Sequence, residues 1–422
     1  MAFKLNNDIS KITNRQTAVA ENIVQTVSKI LADIKETGDT ALRKYIAELD
    51  GYTGTNLLVT QEEIADGVQN AGVDFCRILK RAKQQLEDFH THQQEKSWSM
   101  YKENGAILGQ IVRPIARVAL YVPGGTAAYP STVLMNAVPA QIAGVKDIAI
   151  FTPVKSDGRV PDVILAAAFV CGISKIYKIG GAQAIAAAAY GTETVGKVDK
   201  IVGPGNAYVA TAKQLVYGVV DIDMIAGPSE ILIIADETAT PRYIAADMLS
   251  QAEHDEMASS ILVSTSQSVI DATEIELAKQ LNALPRKEIA EVSLQNYGAA
   301  VLARDLNHAF EISNGIAPEH LEILTVNPLE HLPKVQNAGS IFLGEYTPEP
   351  LGDYMSGTNH VLPTGGTAKF SSPLGVYDFV KYSAYSYYTK PAFDELVADV
   401  AKFATLEGLD AHANSVKVRE TI

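Results

Sequence analysis

Residues 250–255 read SQAEHD, which sets a carboxamide, Gln251, and an imidazole, His254, three positions apart in a stretch with helical periodicity. At that spacing the two side chains share one face of a helix, one turn apart. Most polar helix faces need no special reason, but an amide oxygen held beside a ring nitrogen can also grip a metal ion. Further ligands must then come from elsewhere in the chain. Asp353 and His360 lie in a long Gly/Pro-rich stretch, and Glu407 and His412 lie in the tail. Gln251, His254, Asp353 and His412 would make a borderline nitrogen–oxygen set that suits zinc and also accommodates manganese or cobalt. Spacing alone does not show that the four meet, and each taken singly reads as a solvated polar residue. A second constellation is APEHLE, with Glu319 beside His320 just ahead of a β-rich run. A carboxylate next to an imidazole supplies two bases of different strength, although an isolated Glu–His dipeptide is more often a surface turn. His90 and His92, two apart at the end of a helix, point to different faces and read as solvated.

Three glycine-rich turns, YVPGGT, IGGAQA and VGPGNAY, each follow a short predicted strand. Open α/β sheets bind ligands at such places. None of the three completes G-x-G-x-x-G; Tyr208 stands where the third glycine would be. Simple tight turns and a nucleotide cradle both remain open on this pattern.

The elements that must position these groups fall into blocks. Residues 19–50 predict two helices broken at Gly38–Asp39, and a longer helix carries Phe75, Ile78, Leu79, Ala82, Leu86 and Phe89 at helical spacing. From residue 117 the runs RVALYVP, DIAIFTP, KIYKIGG and VDKIVGP alternate with alanine-rich helical stretches every 25–30 residues or so, which argues for a parallel sheet covered by helices. A second alternating block starts at SEILIIADE. Two α/β units in tandem are the economical reading, with no visible sequence repeat between them. Residues 345–375 are too long for an ordinary connector, and loops of that length are usually functional or disordered; Tyr354, Met355, His360 and Phe370 argue for order.

Composition bounds the partners. With 35 basic against 49 acidic residues the chain carries −14, a field that repels phosphate backbones and argues against nucleic acid. Cys76 and Cys171 sit in apolar helical patterns and read as buried free thiols; two cysteines cannot build a thiolate zinc site. The opening segment lacks the apolar core of a signal peptide, and no apolar run approaches membrane-spanning length, so a cytoplasmic protein with no membrane contact is expected.

Taken together, LYVPGGTAAYPSTVLMNAVPAQIAGV, IGGAQAIAA, DKIVGPGN, AGPSEILIIAD, LSQAEHD, APEHLEI and LGDYMSGTNHVLPT resemble the histidinol dehydrogenase family, and the resemblance runs over nearly the whole chain. It implies one zinc per subunit on Gln251, His254, Asp353 and His412. It implies substrate contacts at Ser229, His320, His360 and Glu407 as well as at the metal ligands, and NAD contacts at Tyr121, Gln183 and Asn206. The reaction implied is oxidation of L-histidinol to L-histidine through the aldehyde, with two hydride transfers to NAD⁺. His320 would take the alcohol proton, Glu319 would activate water, and His320 would act again on the hydrate. The fold implied is two incomplete Rossmann-like parallel-sheet domains in tandem: an arm over 1–24, a first domain over 25–120 and 231–374 with the metal and catalytic residues, a second over 121–230 on the NAD side, and a tail over 375–422. The family is a homodimer whose tail packs on the partner, so Glu407 and His412 would act across the interface. The alternatives are a relative acting on another alcohol such as a sulfonated propanediol, which Glu407 would repel, a zinc hydrolase using Glu319 as base, and a non-catalytic metal-binding protein.

Overall fold

The computed structural model describes residues 5, 21–124 and 128–420, so most of the expected 1–24 arm lies outside the described residues. Helices Glu21–Thr37 and Asp39–Tyr45 meet at Gly38, whose φ of 53° makes the break. Helices Gln61–Ala71 and Val73–Thr91 follow, the former closed by a full capping box between Thr60 and Glu63. Strands β1 (Trp98–Tyr101) and β2 (Ile107–Pro114) come next. Five strands then make a parallel sheet: β3 (Arg117–Tyr121), β4 (Asp147–Thr152), β5 (Ile176–Lys178), β6 (Lys200–Val202) and β7 (Asp221–Ile222), in the order β5-β4-β3-β6-β7. Another five make a second: β8 (Glu230–Ala235), β9 (Ser259–Ser264), β10 (Gly298–Leu302), β11 (His320–Leu324) and β12 (Ser340–Leu343), in the order β10-β9-β8-β11-β12. The two orders are the same, third-second-first-fourth-fifth. The repeat that the residues do not display exists in the topology.

Alternation along the strands explains why both sheets are covered twice. In the first, Val118, Leu120, Ile150, Ile176 and Val202 face one apolar cluster, while Ala119, Tyr121, Ala149, Phe151 and Ile201 face the other. Helices Pro130–Ala143 and Asp162–Val170 pack on the former face, and Glu21–Thr37 and Gly181–Tyr190 on the latter. The second sheet divides likewise, Ile231 and Ile233 against Leu232 and Ile234.

The described residues fall into two compact units, one within Met1–Gln93 and Ile115–Phe379 and the other within Gln94–Pro114 and Val380–Ile422. In the smaller unit the tyrosine-rich run is strand β13 (Val380–Tyr387), which lies antiparallel to β2, with β1 on the other side. The sequence reading grouped 25–120 with 231–374; the helices of residues 21–91 instead pack on the sheet of residues 117–222, and 94–114 pair with the tail.

Three local expectations change. His90 is fully buried rather than solvated, because it continues the stripe Leu79, Ala82, Leu86 at helical spacing; burial lowers its pKa, and its Nδ1 lies 2.8 Å from Gln93 Oε1. His92 is exposed as expected. Of the two free thiols, Cys171 is buried and Cys76 only half-buried. The 345–375 segment is ordered, though not by Tyr354 and Phe370, which are exposed. Buried Asn359 does this instead, donating to the Met135 carbonyl at 2.7 Å and accepting from the Val361 N–H at 2.9 Å.

Candidate active site

His320 opens β11 and Glu319 directly precedes it, at the amino edge of the second sheet, the end opposite to where open α/β sheets usually bind ligands. They are buried, not a surface turn. Helix Leu306–Ile316 ends on Ala317, a non-glycine residue in the left-handed region at φ 57°, and the chain turns there directly into Pro318 and the pair. The neighbouring strand β8 holds both side chains through one residue. The Glu230 N–H donates to the Glu319 carboxylate at 2.9 Å, and the Glu230 carbonyl lies 2.9 Å from His320 Nδ1. A carbonyl only accepts, so Nδ1 carries the ring proton and Nε2 keeps its lone pair. That nitrogen is buried with no hydrogen-bond partner among the described residues and is 3.7 Å from Glu349 Oε1. Burial pulls His320 down to about 4 against the opposing charge of Asp353. Burial also pushes Glu319 well above the usual carboxylate range, the Glu230 N–H opposing.

The metal question turns on what surrounds this pair. Helix Pro241–Ala252 contains Gln251 but stops before His254, which sits in the following turn with its N–H on the Gln251 carbonyl at 3.2 Å. The one-turn spacing survives outside the helix. Gln251 is 1% exposed and its Oε1 has no hydrogen-bond partner among the described residues, a costly state for a buried amide oxygen unless a ligand is to meet it. His254 Nδ1 lies 2.9 Å from the Ser250 carbonyl, which leaves Nε2 as the ligating nitrogen. Asp353 Oδ1 lies 3.8 Å from His360 Nδ1, and the charges of His254, Asp353 and His360 all act on His320. The donor types of Gln251, His254 and Asp353, an amide oxygen, a ring nitrogen and a carboxylate, are chemically compatible with a divalent cation. Ligand atoms of His320, Glu349 and Asp353 also come within 4.8 Å of one another, a grouping that shares only Asp353 with the expected set. Glu349 is forced up to about 9 by burial and by the Asp353 charge, so it stands protonated beside that carboxylate.

Opposite chemistry occupies the first sheet. A cavity of about 880 Å³ opens at the carboxyl ends of its strands, lined by Tyr121, Gln183 and Asn206 together with Asp50 and Lys155. The Tyr121 hydroxyl accepts from the Gly181 N–H at 3.0 Å, and Gln183 donates to Asp50 at 3.1 Å. Asn206 caps helix Ala207–Val216 through its Oδ1, which accepts from the Tyr208 and Val209 N–H groups; the side chain's amide nitrogen is left for a ligand. Gly125 and Thr126 of the YVPGGT turn lie outside the described residues. The size and the strand-end location suit a dinucleotide.

A buried Glu–His pair, a buried carboxamide without a partner among the described residues and a large cavity at the carboxyl ends of a parallel sheet occur on one chain. The family model described as histidinol dehydrogenase matches residues 13–420. The chain belongs to the histidinol dehydrogenase family. It is 60% identical over 418 residues to the histidinol dehydrogenase of Lactococcus lactis subsp. lactis (strain IL1403), covering 99% of this chain and 97% of that one. It is 55% identical to that of Clostridium acetobutylicum, with 97% and 95% covered. The crystal structure of histidinol dehydrogenase from Elizabethkingia anophelis superposes with a TM-score of 0.94 at 38% identity, covering 100% of this chain and 98% of that one.

Against this member of the histidinol dehydrogenase family, the residue-level expectations divide. Gln251, His254, Glu319, His320, Asp353 and His360 lie in the larger unit, with Ser229 immediately before Glu230. Glu407 and His412 lie in the smaller unit, both exposed. Sequence reasoning missed Glu230, Glu349 and Asp50. Only Glu349 left a signal: in TPEPLGDY it precedes Asp353 by four, the spacing of one helix face, and Glu349–Tyr354 is a helix.

Proposed function

We infer that this protein oxidises L-histidinol to L-histidine through L-histidinal, the last steps of histidine biosynthesis. The observation that carries the chemistry is the buried Glu319–His320 pair, both side chains held by the backbone N–H and carbonyl of Glu230. When bound, zinc would anchor the nitrogens of the substrate, and two molecules of NAD⁺, one after the other, would each take one hydride. Gln251, His254 and Asp353 hold the metal, with His412 as fourth ligand. His320 Nε2 takes the alcohol proton. Glu319 takes a proton from the water that adds to the aldehyde carbon, and His320 deprotonates the resulting hydrate. Ser229, His360 and Glu407 position the substrate, Glu407 facing its ammonium group. Tyr121, Gln183 and Asn206 hold NAD. Glu407 disfavours a sulfonated alcohol by like charge.

The working form is a homodimer with exchanged tails, Glu407 and His412 serving the partner's site. Helix Val397–Leu406 supports this, since it leaves Phe403 67% and Leu406 79% exposed just before Glu407. A cytoplasmic setting agrees with the absence, among the described residues, of any helix long and apolar enough to cross a membrane.

The test is absorbance at the NADH band with histidinol as substrate. Two NADH per histidinol is the expected yield. No NADH with histidinol, from folded and zinc-loaded protein, overturns the reading.

A further inference from the structure

The VGPGN turn between β6 and helix Ala207–Val216 is close-packed around a glycine that no other residue can replace without a clash. Gly203 has φ of 114°, and a Cβ there would sit 2.1 Å from the Tyr121 carbonyl oxygen. Three residues on, Asn206 caps the helix. Glycine takes this backbone conformation freely, and the absence of a Cβ is what allows the close approach. Here both hydrogen-bonding groups of Gly203 are held by one ion pair. Asp223 Oδ2 accepts from the Gly203 N–H at 2.7 Å, and Lys213 Nζ donates to the Gly203 carbonyl at 2.9 Å. Lys213 and Asp223 pair with each other, with side chains 3% and 1% exposed.

Apolar residues often replace a buried ion pair at no loss of stability, so stability alone does not account for this one. Lys213 is carried on the same helix that Asn206 starts, and Asp223 directly follows β7, the neighbour of β6. The pair therefore fixes the turn in relation to both the strand ends and the helix. We propose that Lys213 and Asp223 are positioning residues for the dinucleotide: they hold the Gly203 turn so that Asn206 and Tyr121 meet NAD in a preset geometry. The proposal rests on the reading of the 880 Å³ cavity as the NAD site.

The experiment is the double variant K213M/D223L, in which apolar groups replace both charges and no unpaired charge stays buried. Calorimetric titration of zinc-loaded protein with NAD⁺ should give a dissociation constant raised about tenfold or more, because pre-organisation is lost. KM for NAD⁺ should rise in step, while zinc content, KM for histidinol and kcat at saturating NAD⁺ stay within roughly twofold. Unchanged NAD⁺ affinity overturns the proposal. A parallel fall in kcat and in affinity for both substrates also overturns it, since that marks a general scaffold role. If the double variant does not fold, D223E decides: it keeps the charge but is one methylene too long, and raised KM for NAD⁺ at unaltered kcat supports the proposal, whereas wild-type KM overturns it. Wild-type protein that binds NAD⁺ without oxidising histidinol would remove the functional reading and leave this inference to the binding data.

Discussion

Glu319 and His320 are adjacent, and burial drives them in opposite directions. Taking charge out of water favours the neutral form of each, so the carboxyl titrates high and the imidazole low. His320 is therefore already a free base in mildly acidic solution. Glu319, by contrast, takes up its proton before His320 does as pH falls. If the two divide the work as proposed, kcat/KM for alcohol oxidation stays flat above about pH 5, while oxidation of supplied histidinal keeps rising with pH above the range in which an ordinary carboxylate titrates. Coincident profiles for the two halves would refute this. Glu319→Gln keeps the shape and removes the base; it should slow the aldehyde half by ~10²–10⁴-fold and the alcohol half much less. His320→Asn should harm both. Separate assays of the halves measure each, and equal losses for Glu319→Gln would contradict the division.

Between elements, the tightest constraint on the pair is the approach of β12 to β11. The Gly339 N–H bonds to the Pro318 carbonyl at 2.9 Å and Ser340 N–H to the Glu319 carbonyl at 2.8 Å. A Cβ on Gly339 would come within 2.5 Å of that Glu319 oxygen, a backbone atom that cannot rotate away. Gly339→Ala must push β12 off or displace Glu319. We expect a loss of about 1–3 kcal/mol, as for other overpacked sites, read as a lower urea midpoint, and a weaker aldehyde half-reaction at temperatures where the variant is folded. Wild-type stability and rate together would show that the strands separate freely.

For the whole molecule, the proposed metal ligands come from distant segments, while each sheet has apolar clusters of its own that include none of them. Chelation should thus abolish histidinol oxidation and leave circular dichroism nearly unchanged. Full activity in demonstrably metal-free protein would sink the zinc assignment, and collapse of the fold would make the metal structural. The exchanged tail has its own test. His254→Asn and His412→Asn homodimers should each be nearly inactive at limiting metal. Refolding an equal mixture gives about half mixed dimers with one intact site each, so roughly a quarter of wild-type activity returns. No recovery, with mixed dimers verified by mass, would place His412 in its own subunit's site.

Local pattern was enough for the alternating strands and helices of both sheets, for the break at Gly38, and for the ordered strings that mark the family, because these depend on period and on turn chemistry between near neighbours. The same strings named Gln251, His254, Glu319, His320 and Asp353. Folding alone decided how these groups behave. Glu230 carries no signal in GPSE, yet its backbone orients both bases because β8 lies beside β11 in the sheet. His90 reads as polar in the chain and becomes core once its helix face meets the Asn359 loop. Asp50 and Gln183 are 133 positions apart and meet only across packed helices. Burial, charge state and hydrogen-bond partner are properties of pairs distant in sequence, and those pairs exist only after the sheets have formed.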